Sequence, residues 1–351
     1  MQESGTEAAG GPPWRSLPFA ARLATAVLGA LAPGRPVPLF ASLEVTRRCP
    51  GRCAYCAVPR TREPGDLPAR EWMAILEDLA RSGCLAVSFT GGEPLAREDL
   101  GALMGHARRL GLGVALNTSG ALLPERQEWL CLADRVTVSL DGVREVQDSL
   151  RGAGSFDRAL GAMELCRRHR IPARWAAVLS RTSIARLPSF LDFLEHTKVP
   201  VQFQPAYHEM LRSAGAANPE APDPGDLREA AARIREALRR GLAVENDPED
   251  LDLMEGLRNH NVPRCHGGRW FVRITSHGTL EICGLQQDPS PPDLPARNGI
   301  REGMARIRER PNPCRLCPSA SRAAFNRLAS GSPGPLGRRA WRYFRKITRI
   351  P

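Results

Sequence analysis

The sequence predicts an α/β fold in which six parallel strands form an open, partial (β/α)6 barrel, followed by a small cysteine-rich module. Three observations predict this fold. Six short apolar runs alternate with amphipathic helical patterns along the chain, and this alternation indicates parallel strands joined by right-handed crossovers. Six units favour a barrel that stays open over a closed eightfold one. The 351 residues, 42% of them hydrophobic, suffice for one large core and a smaller module.

The expected elements follow one another in a regular order. Strands are predicted at 39–46, 85–90, 113–117, 135–140, 174–179 and 201–204. Helices are predicted at 69–81, 97–110, 156–170, 187–195 and 226–240, and a hairpin around a glycine turn at 270–283. The chain then divides into an N-terminal amphipathic extension (1–38), the barrel (39–210), a helical connector (211–262), the cysteine-rich module (263–320) and a basic C-terminal tail (321–351).

Composition and charge limit where the protein acts. Its 10 cysteines are clustered, which in a reducing compartment indicates metal ligands. The chain has no apolar run of about eighteen residues that would predict a transmembrane segment, and residues 1–11 lack the basic residue of a secretory signal. We therefore expect a cytoplasmic protein. The apolar segment 17–31 and the basic, aromatic tail 338–349 leave a contact with a membrane surface or an anionic partner open.

The most informative motif is a C-x3-C-x2-C array formed by Cys49, Cys53 and Cys56. A 4Fe–4S cluster has four irons, so three thiolates on one short loop leave one iron open for a small molecule. Structural zinc is the weaker alternative, because zinc takes four ligands and the next Cys and His, Cys84 and His106, are distant in sequence. An odd and closely spaced set cannot pair within itself as disulfides.

Further motifs stand at predicted strand ends, which meet at one edge of a parallel sheet. Gly91 and Gly92 let the backbone approach a ligand closely. Glu93 adds a carboxylate at the strand end, and Pro94 restricts the backbone that follows. Each motif alone is more typical of a turn, whereas their order after the cysteine loop favours one binding site. The motifs are Gly91-Gly92-Glu93-Pro94, Asn117-Thr118-Ser119-Gly120, Ser139-Leu140-Asp141-Gly142 with the downstream run Asp148-Ser149-Leu150-Arg151-Gly152, and Leu179.

In this order, the motifs resemble those of the radical S-adenosylmethionine (SAM) superfamily, and the resemblance covers residues 39–320. It assigns the SAM-binding 4Fe–4S cluster to the three cysteines of the loop, with Tyr55 as the usual aromatic before the last one. The cofactor-binding residues that it implies are Tyr55, Gly91, Gly92, Glu93, Pro94, Asn117, Ser139, Arg151 and Leu179.

Individual roles also follow from the resemblance. The glycines and Glu93 are expected to contact the methionyl ammonium of SAM, and Ser139 is expected to lie near SAM. Arg151 is expected to pair bidentately with the SAM carboxylate. The chain departs from the family's H-D-x-x-R-G turn, because Val146-Gln147 precedes Asp148 and the histidine is missing.

A second cysteine group, Cys265, Cys283, Cys314 and Cys317, has the spacing C-x12-G-x4-C…C-x2-C. This spacing resembles the auxiliary-cluster extension of radical SAM enzymes. No cysteine follows Cys317, so the chain resembles the shorter twitch version with one auxiliary 4Fe–4S cluster. A structural zinc site with the same four thiolates stays open. Cys84, Cys131 and Cys166 are expected to be ordinary thiols.

The resemblance implies a radical enzyme. Electron transfer from the cluster cleaves SAM to a 5′-deoxyadenosyl radical, which abstracts hydrogen from a peptide or small metabolite. The auxiliary cluster is expected to transfer electrons, and a reductant such as flavodoxin or ferredoxin is expected as partner. Two alternatives remain: a radical SAM enzyme acting on a membrane lipid, and a zinc-binding nucleic-acid-binding or scaffold protein.

Overall fold

The computed structural model describes residues 37–58, 65–206, 217–246, 251–252, 254, 267–282 and 295–308. The strands are β1 (Phe40–Thr46), β2 (Ala86–Gly91), β3 (Gly113–Thr118), β4 (Arg135–Ser139), β5 (Ala173–Leu179), β6 (Val201–Pro205), β7 (Phe271–Ile274) and β8 (Leu280–Glu281). The helices are α1 (Ala69–Arg81), α2 (Leu100–Arg109), α3 (Arg144–Arg151), α4 (Ser155–Arg168), α5 (Arg181–Ile184), α6 (Leu187–Thr197), α7 (Pro224–Arg239) and α8 (Ile300–Arg308). None of the helices in these ranges has the length and apolar character needed to traverse a bilayer.

The strands form one sheet in the order β6-β5-β4-β3-β2-β1-β7-β8. All neighbours from β6 to β7 pair in parallel, and only β8 is antiparallel to its neighbour. The six expected strands and their parallel order are therefore confirmed, as is the open, partial barrel. In the described part of the chain, β6 and β8 lie at opposite ends of the sheet.

The hairpin β7–β8 extends the barrel sheet, whereas the sequence indicated only a hairpin within the cysteine-rich module. Strand β7 pairs with β1 in the register Phe40↔Phe271 to Leu43↔Ile274. Without β7, the edge of β1 would expose unpaired backbone groups, which natural proteins cover. The hairpin thus protects the strand that leads into the cysteine loop.

The two faces of the sheet differ in polarity. One face carries apolar residues that pack with the helices into a single core, such as Leu43, Phe89 and Val136. The other face, which we call the polar face, is turned away from the helix-covered core and lines the inside of the open barrel. The inward positions of closed eight-stranded barrels hold branched apolar residues instead. The polar face carries Ser42, Glu44, Ser88, Asn117, Arg135, Thr137, Ser139, Arg174, Gln202, Gln204 and Arg273.

Helix α1 shows how the outer layer covers the sheet. Its buried residues Trp72, Ile75, Leu76 and Leu79 recur at helical spacing and form one apolar stripe. Burying each such side chain stabilises the fold by roughly 1.5–3 kcal/mol. The helix ends before Gly83, which adopts a φ of 92° that favours glycine.

Several predicted features lie outside the described residues. These are the N-terminal segment through residue 36, the auxiliary cysteines Cys265, Cys283, Cys314 and Cys317, and the basic tail. The boundaries of the five expected segments stay predictions.

Candidate active site

The site lies at the carboxyl edge of the sheet, where the ends of five parallel strands meet. The cysteine loop follows β1, the glycine-rich turn ends β2, and hydroxyl residues end β3. Asp141 comes two residues after the end of β4, and Ser180 follows β5 directly. The tertiary fold therefore brings together motifs that the sequence spreads over more than a hundred residues.

The three thiols of the cysteine loop are free and partly exposed. The pKa of Cys49 is raised to about 11, mainly by burial and also by charge repulsion from Glu93, Cys53 and Cys56, while a hydrogen bond from the Gly51 backbone opposes the shift. Burial also raises the pKa of Cys53, while the nearby Arg151 guanidinium lowers it. Thiols of this kind bind a metal centre as thiolates, since its positive charge offsets the cost of ionisation.

The donor set fits a 4Fe–4S cluster. The sulfur atoms of Cys49 and Cys53 both face Gly51, within 3.6 and 3.9 Å of where a side chain would begin. In the described ranges, no three His, Cys, Asp or Glu side chains stand close enough to hold one metal ion. In a 4Fe–4S cluster each thiolate binds a different iron, so the ligands need not converge on one point.

The glycine-rich turn is packed against the cysteine loop. The Gly92 amide donates to the Thr46 carbonyl at 2.8 Å, and the Glu93 amide donates to the Arg48 carbonyl at 2.9 Å. A Cβ on Gly91 would lie 2.2 Å from the Thr46 oxygen, and one on Gly92 would lie 2.5 Å from the Arg48 oxygen. Beyond the ligand approach inferred from sequence, the glycines are needed because the end of β1 and the start of the cysteine loop occupy the space of a side chain.

Replacing Gly92 by Ala is therefore expected to displace the cysteine loop and to lower cluster incorporation severalfold. The clash is with backbone atoms, which cannot rotate away as a side chain would. Iron content and visible absorbance after anaerobic reconstitution measure the effect. Gly161→Ala is the matched control, because Gly161 lies in α4 with nothing within 4 Å of its added Cβ. Wild-type iron content in Gly92→Ala would contradict the packing argument.

Glu93 is a buried carboxylate, 1% exposed, that faces the end of β3. It accepts hydrogen bonds from the Thr118 hydroxyl at 2.8 Å and from the Ser119 amide and hydroxyl at 2.8 and 2.5 Å. Burial raises the pKa of Glu93, and the bonds from Ser119 and Thr118 oppose this shift. Thr118 and Ser119 belong to the motif Asn117-Thr118-Ser119-Gly120, in which only Asn117 was predicted to bind the cofactor. The hydroxyls that directly follow Asn117 were the available signal.

Asn117, Pro94 and Leu179 occupy different surroundings. The Asn117 amide donates to the Ser88 hydroxyl at 3.1 Å on the polar face. Pro94 begins a short 3₁₀ turn that Glu93 caps by accepting from the Leu95 amide. The side chain of Leu179 is in the helix-covered core, so only its backbone reaches the strand end.

Asp141 connects the cysteine loop to the rest of the site. The sequence motif Ser139-Leu140-Asp141-Gly142 contains it, but no role was predicted for it. Its side chain is fully buried. It accepts from the Tyr55 hydroxyl at 2.5 Å, from Arg151 Nε at 2.6 Å and Nη2 at 3.2 Å, and from the Val178 amide at 2.9 Å. Burial raises the pKa of Tyr55, so its hydroxyl stays protonated and donates.

Helix α3 adds further contacts to the loop. The Leu150 carbonyl accepts from the Ala54 amide at 2.9 Å, and the Arg151 guanidinium lies 5.6 Å from the centre of the Tyr55 ring. Two donor groups of Arg151 are thus used by Asp141, and its expected pairing with a SAM carboxylate stays a prediction. The loop is thus bonded to α3 directly, through Ala54 and Leu150, and indirectly through Asp141, which accepts from Tyr55 and forms an ion pair with Arg151.

Gln147, where the related motif has histidine, positions Asp141. Its side-chain oxygen accepts from the Asp141 amide at 2.7 Å, and its side-chain nitrogen donates to the Ser139 carbonyl at 3.4 Å. The adjacent Asp148 accepts from the Gly154 and Phe156 amides and stabilises the following turn. At the position where the family motif has histidine, Gln147 therefore joins α3 to the end of β4 by hydrogen bonds.

A loop of three thiols at the carboxyl edge of an open α/β barrel, beside a buried carboxylate, is the arrangement of an iron–sulfur enzyme. The model of the Radical SAM superfamily matches residues 43–182. A PqqA peptide cyclase of Rhodopseudomonas palustris is 32% identical over 285 residues, which cover 77% of this chain and 74% of that protein. A PqqA peptide cyclase of Gluconobacter oxydans is 35% identical over 267 residues, covering 72% and 71%.

Among solved structures, the crystal structure of Streptococcus suis SuiB bound to precursor peptide SuiA is similar, with a TM-score of 0.61. It is 18% identical and covers 95% of this chain and 81% of that one, which supports the fold alone. The chain belongs to the radical SAM superfamily, and the predicted SPASM/twitch-type relationship is confirmed. The family binds a 4Fe–4S cluster and SAM.

Proposed function

We propose that this protein is a radical SAM enzyme of the maturase type that modifies a peptide. The observation that carries the proposal is the pair of relatives at 32% and 35% identity, both peptide cyclases that align over more than two thirds of each chain. The polar inner face of the barrel supports it, because a peptide main chain needs hydrogen-bonding groups where it binds.

When bound, the cluster and SAM supply one-electron cleavage of SAM and a radical that abstracts hydrogen. Cys49, Cys53 and Cys56 would hold the cluster. Glu93 would provide negative charge for the SAM ammonium, and hydrogen bonds from Thr118 and Ser119 hold its carboxylate in place. Asp141 keeps Tyr55 and Arg151 in place, so the cysteine loop stays at the strand ends.

The test is an anaerobic assay of reconstituted enzyme with SAM, dithionite and a synthetic short peptide encoded beside the gene for this chain. We expect 5′-deoxyadenosine to rise severalfold over the blank without peptide, together with a change in peptide mass. Unchanged peptide, with 5′-deoxyadenosine stimulated by a small metabolite or a lipid instead, would overturn the proposal.

We also propose that Cys265, Cys283, Cys314 and Cys317 hold one auxiliary 4Fe–4S cluster in electron transfer. Four thiolates saturate such a cluster. Replacing Cys317 by Ala is expected to lower bound iron from about eight to about four per chain, to spare SAM cleavage and to impair peptide product. Stoichiometric zinc in the wild type, or a wild-type product yield in Cys317→Ala, would contradict this role. Flavodoxin or ferredoxin remains the proposed electron donor.

The alternatives are less well supported. A zinc-bound scaffold does not agree with membership of an enzyme family. The segments that suggested a lipid substrate, 17–31 and 338–349, lie outside the described residues.

A further inference from the structure

Strand β6 places two glutamines on the polar face of the sheet. Its burial alternates, with Val201 and Phe203 buried in the helix-covered core and Gln202 and Gln204 half-exposed on the other side. Their neighbours on β5 are Ala176 and Val178, which carry no polar side-chain groups. Among the described residues, none forms a hydrogen bond with the side-chain amide of either glutamine. Within the described part of the chain, two primary amides thus face the inside of the barrel without a protein partner.

The other strong polar groups of this face are paired within the protein. Asn117 donates to Ser88. Arg174 donates to Thr137 and forms an ion pair with Glu245. Arg135, which lies on the same face, shares the Glu245 carboxylate with Arg174. These groups are thus bonded within the protein, whereas no described group bonds the side chains of the two glutamines.

The charged group at the other end of the face is also bonded within the protein. Arg273 on β7 forms ion pairs with Glu44 on β1 and with Glu281 on β8. The open groups of this face are therefore neutral donors and acceptors, which suit a neutral polar ligand better than a charged one.

The glutamines are close to the cysteine loop. Gln204 pairs in register with Val178, the residue whose amide donates to Asp141. The side chain of Val178 packs against the small cluster that contains Tyr55 and Leu150. Gln204 is thus one strand away from the contacts that hold the loop, and Gln202 lies one pleat further from the carboxyl edge.

The spacing of the two amides matches an extended peptide. Residues i and i+2 of a strand lie roughly 6.6 Å apart, and main-chain groups facing one side of an extended peptide repeat at the same interval. A glutamine amide both donates and accepts, which complements the N–H and C=O of a peptide unit. Two glutamines at positions i and i+2 of β6 can therefore form hydrogen bonds with two peptide units, two residues apart, of one extended substrate peptide.

The backbone of β6 is not available for this purpose. The Val201 amide donates to the Ala243 carbonyl at 2.9 Å, and the Val201 carbonyl accepts from Glu245 at 2.8 Å. The Asn246 side chain bonds both the amide and the carbonyl of Phe203, at 2.7 and 2.9 Å. A substrate cannot add to this edge as a further strand, which leaves the side chains of the polar face as the binding groups.

We propose that Gln202 and Gln204 bind the main chain of the substrate peptide in an extended conformation across the polar face, beside the cysteine loop. This inference rests on the proposed peptide-modifying function and names the residues that recognise the peptide. Recognition of main-chain groups sets the position and direction of the peptide while leaving its side chains free for the reaction.

The test measures peptide binding to reconstituted enzyme with SAM and without reductant, by isothermal titration. The probe is the peptide that is modified in the assay described above. Gln202→Leu and Gln204→Leu are each expected to raise its Kd roughly five- to a hundredfold, because each leaves a peptide group without a partner. Gln127→Leu, at an exposed glutamine of the segment Pro124–Leu132, is the matched control and is expected to keep the wild-type Kd.

Peptides methylated at single main-chain nitrogens sharpen the test. We expect two sensitive nitrogens, two residues apart, with an insensitive one between them. In Gln204→Leu, one of the two methylations should no longer change the Kd appreciably. Misfolding of the variant would not produce this selective loss. Iron content and the thermal midpoint of each variant show whether it folds.

The outcomes separate the two proposals. If no peptide is modified or bound, the proposed function fails and this inference fails with it. If the peptide is modified but both variants bind it with wild-type Kd, or the methylation pattern lacks the two-residue interval, the inference alone is overturned.

Discussion

Replacing Cys53 by Ala is expected to reduce 5′-deoxyadenosine formation from SAM and dithionite to background. The loop supplies three thiolates, one for each of three irons. Removing the middle thiolate leaves only two protein ligands, and the cluster is not retained. Bound iron is expected to fall from about eight to about four per chain if the auxiliary cluster remains.

The matched control is Cys131→Ala. Cys131 is an exposed free thiol outside the cysteine loop, so its removal is expected to leave both iron content and SAM cleavage unchanged. Comparison with Cys317→Ala adds a second contrast, because each variant should lose one cluster while only Cys53→Ala loses SAM cleavage. Retained 5′-deoxyadenosine in Cys53→Ala would show that the loop does not hold the SAM-binding cluster.

Replacing Asp141 by Asn is expected to destabilise the protein by roughly 3–5 kcal/mol, because it leaves the Arg151 guanidinium buried without its counter-charge. The carboxylate of Asp141 is fully buried and Arg151 is 12% exposed, so solvent cannot replace the lost partner. Asparagine has nearly the same shape, and the loss of charge is therefore the main change. Urea unfolding of the reconstituted protein measures the effect on the free energy of unfolding.

A second arginine of helix α3 offers the control. Arg144 forms a bidentate pair with Asp157 on α4, and both side chains are more than half exposed. Exposed pairs contribute little to stability, so Asp157→Asn is expected to have nearly the same free energy of unfolding as the wild type. The double variant Asp141→Asn, Arg151→Gln is expected to regain part of the loss, since it removes the uncompensated charge. Equal stability of Asp141→Asn and wild type would contradict the buried-pair interpretation.

Much of the fold was predictable from local patterns. The bounds of α1 are those expected from its apolar periodicity, and each of the six predicted strands is present with its ends shifted by at most a residue or so. Short-range periodicity determines these elements, because helices and strands must turn their apolar residues to one side. The cysteine loop and the glycine-rich turn were recognisable for a related reason, since their chemistry depends on residues that are adjacent in sequence.

The partners of the site residues were not predictable in this way. Tyr55 and Asp141 are 86 residues apart in sequence and form a 2.5 Å hydrogen bond. Nothing near Asp141 in the sequence indicates that it would hold the cysteine loop, because the contact exists only when β1 and β4 end at the same edge. Likewise, Thr118 and Ser119 acquire a role only because Glu93 is turned toward the end of β3.

The amino-acid sequence by itself determined the kind of chemistry, through three closely spaced thiols and the ordered turns after them, and it determined the alternation that makes an open α/β barrel. The tertiary structure alone decided that β7 covers the edge of β1, that Asp141 joins Tyr55 to Arg151, and that Gln202 and Gln204 face the interior. The physical reason is range: propensity and periodicity act over a few residues, whereas edge pairing and buried hydrogen bonds depend on groups that only folding brings within reach.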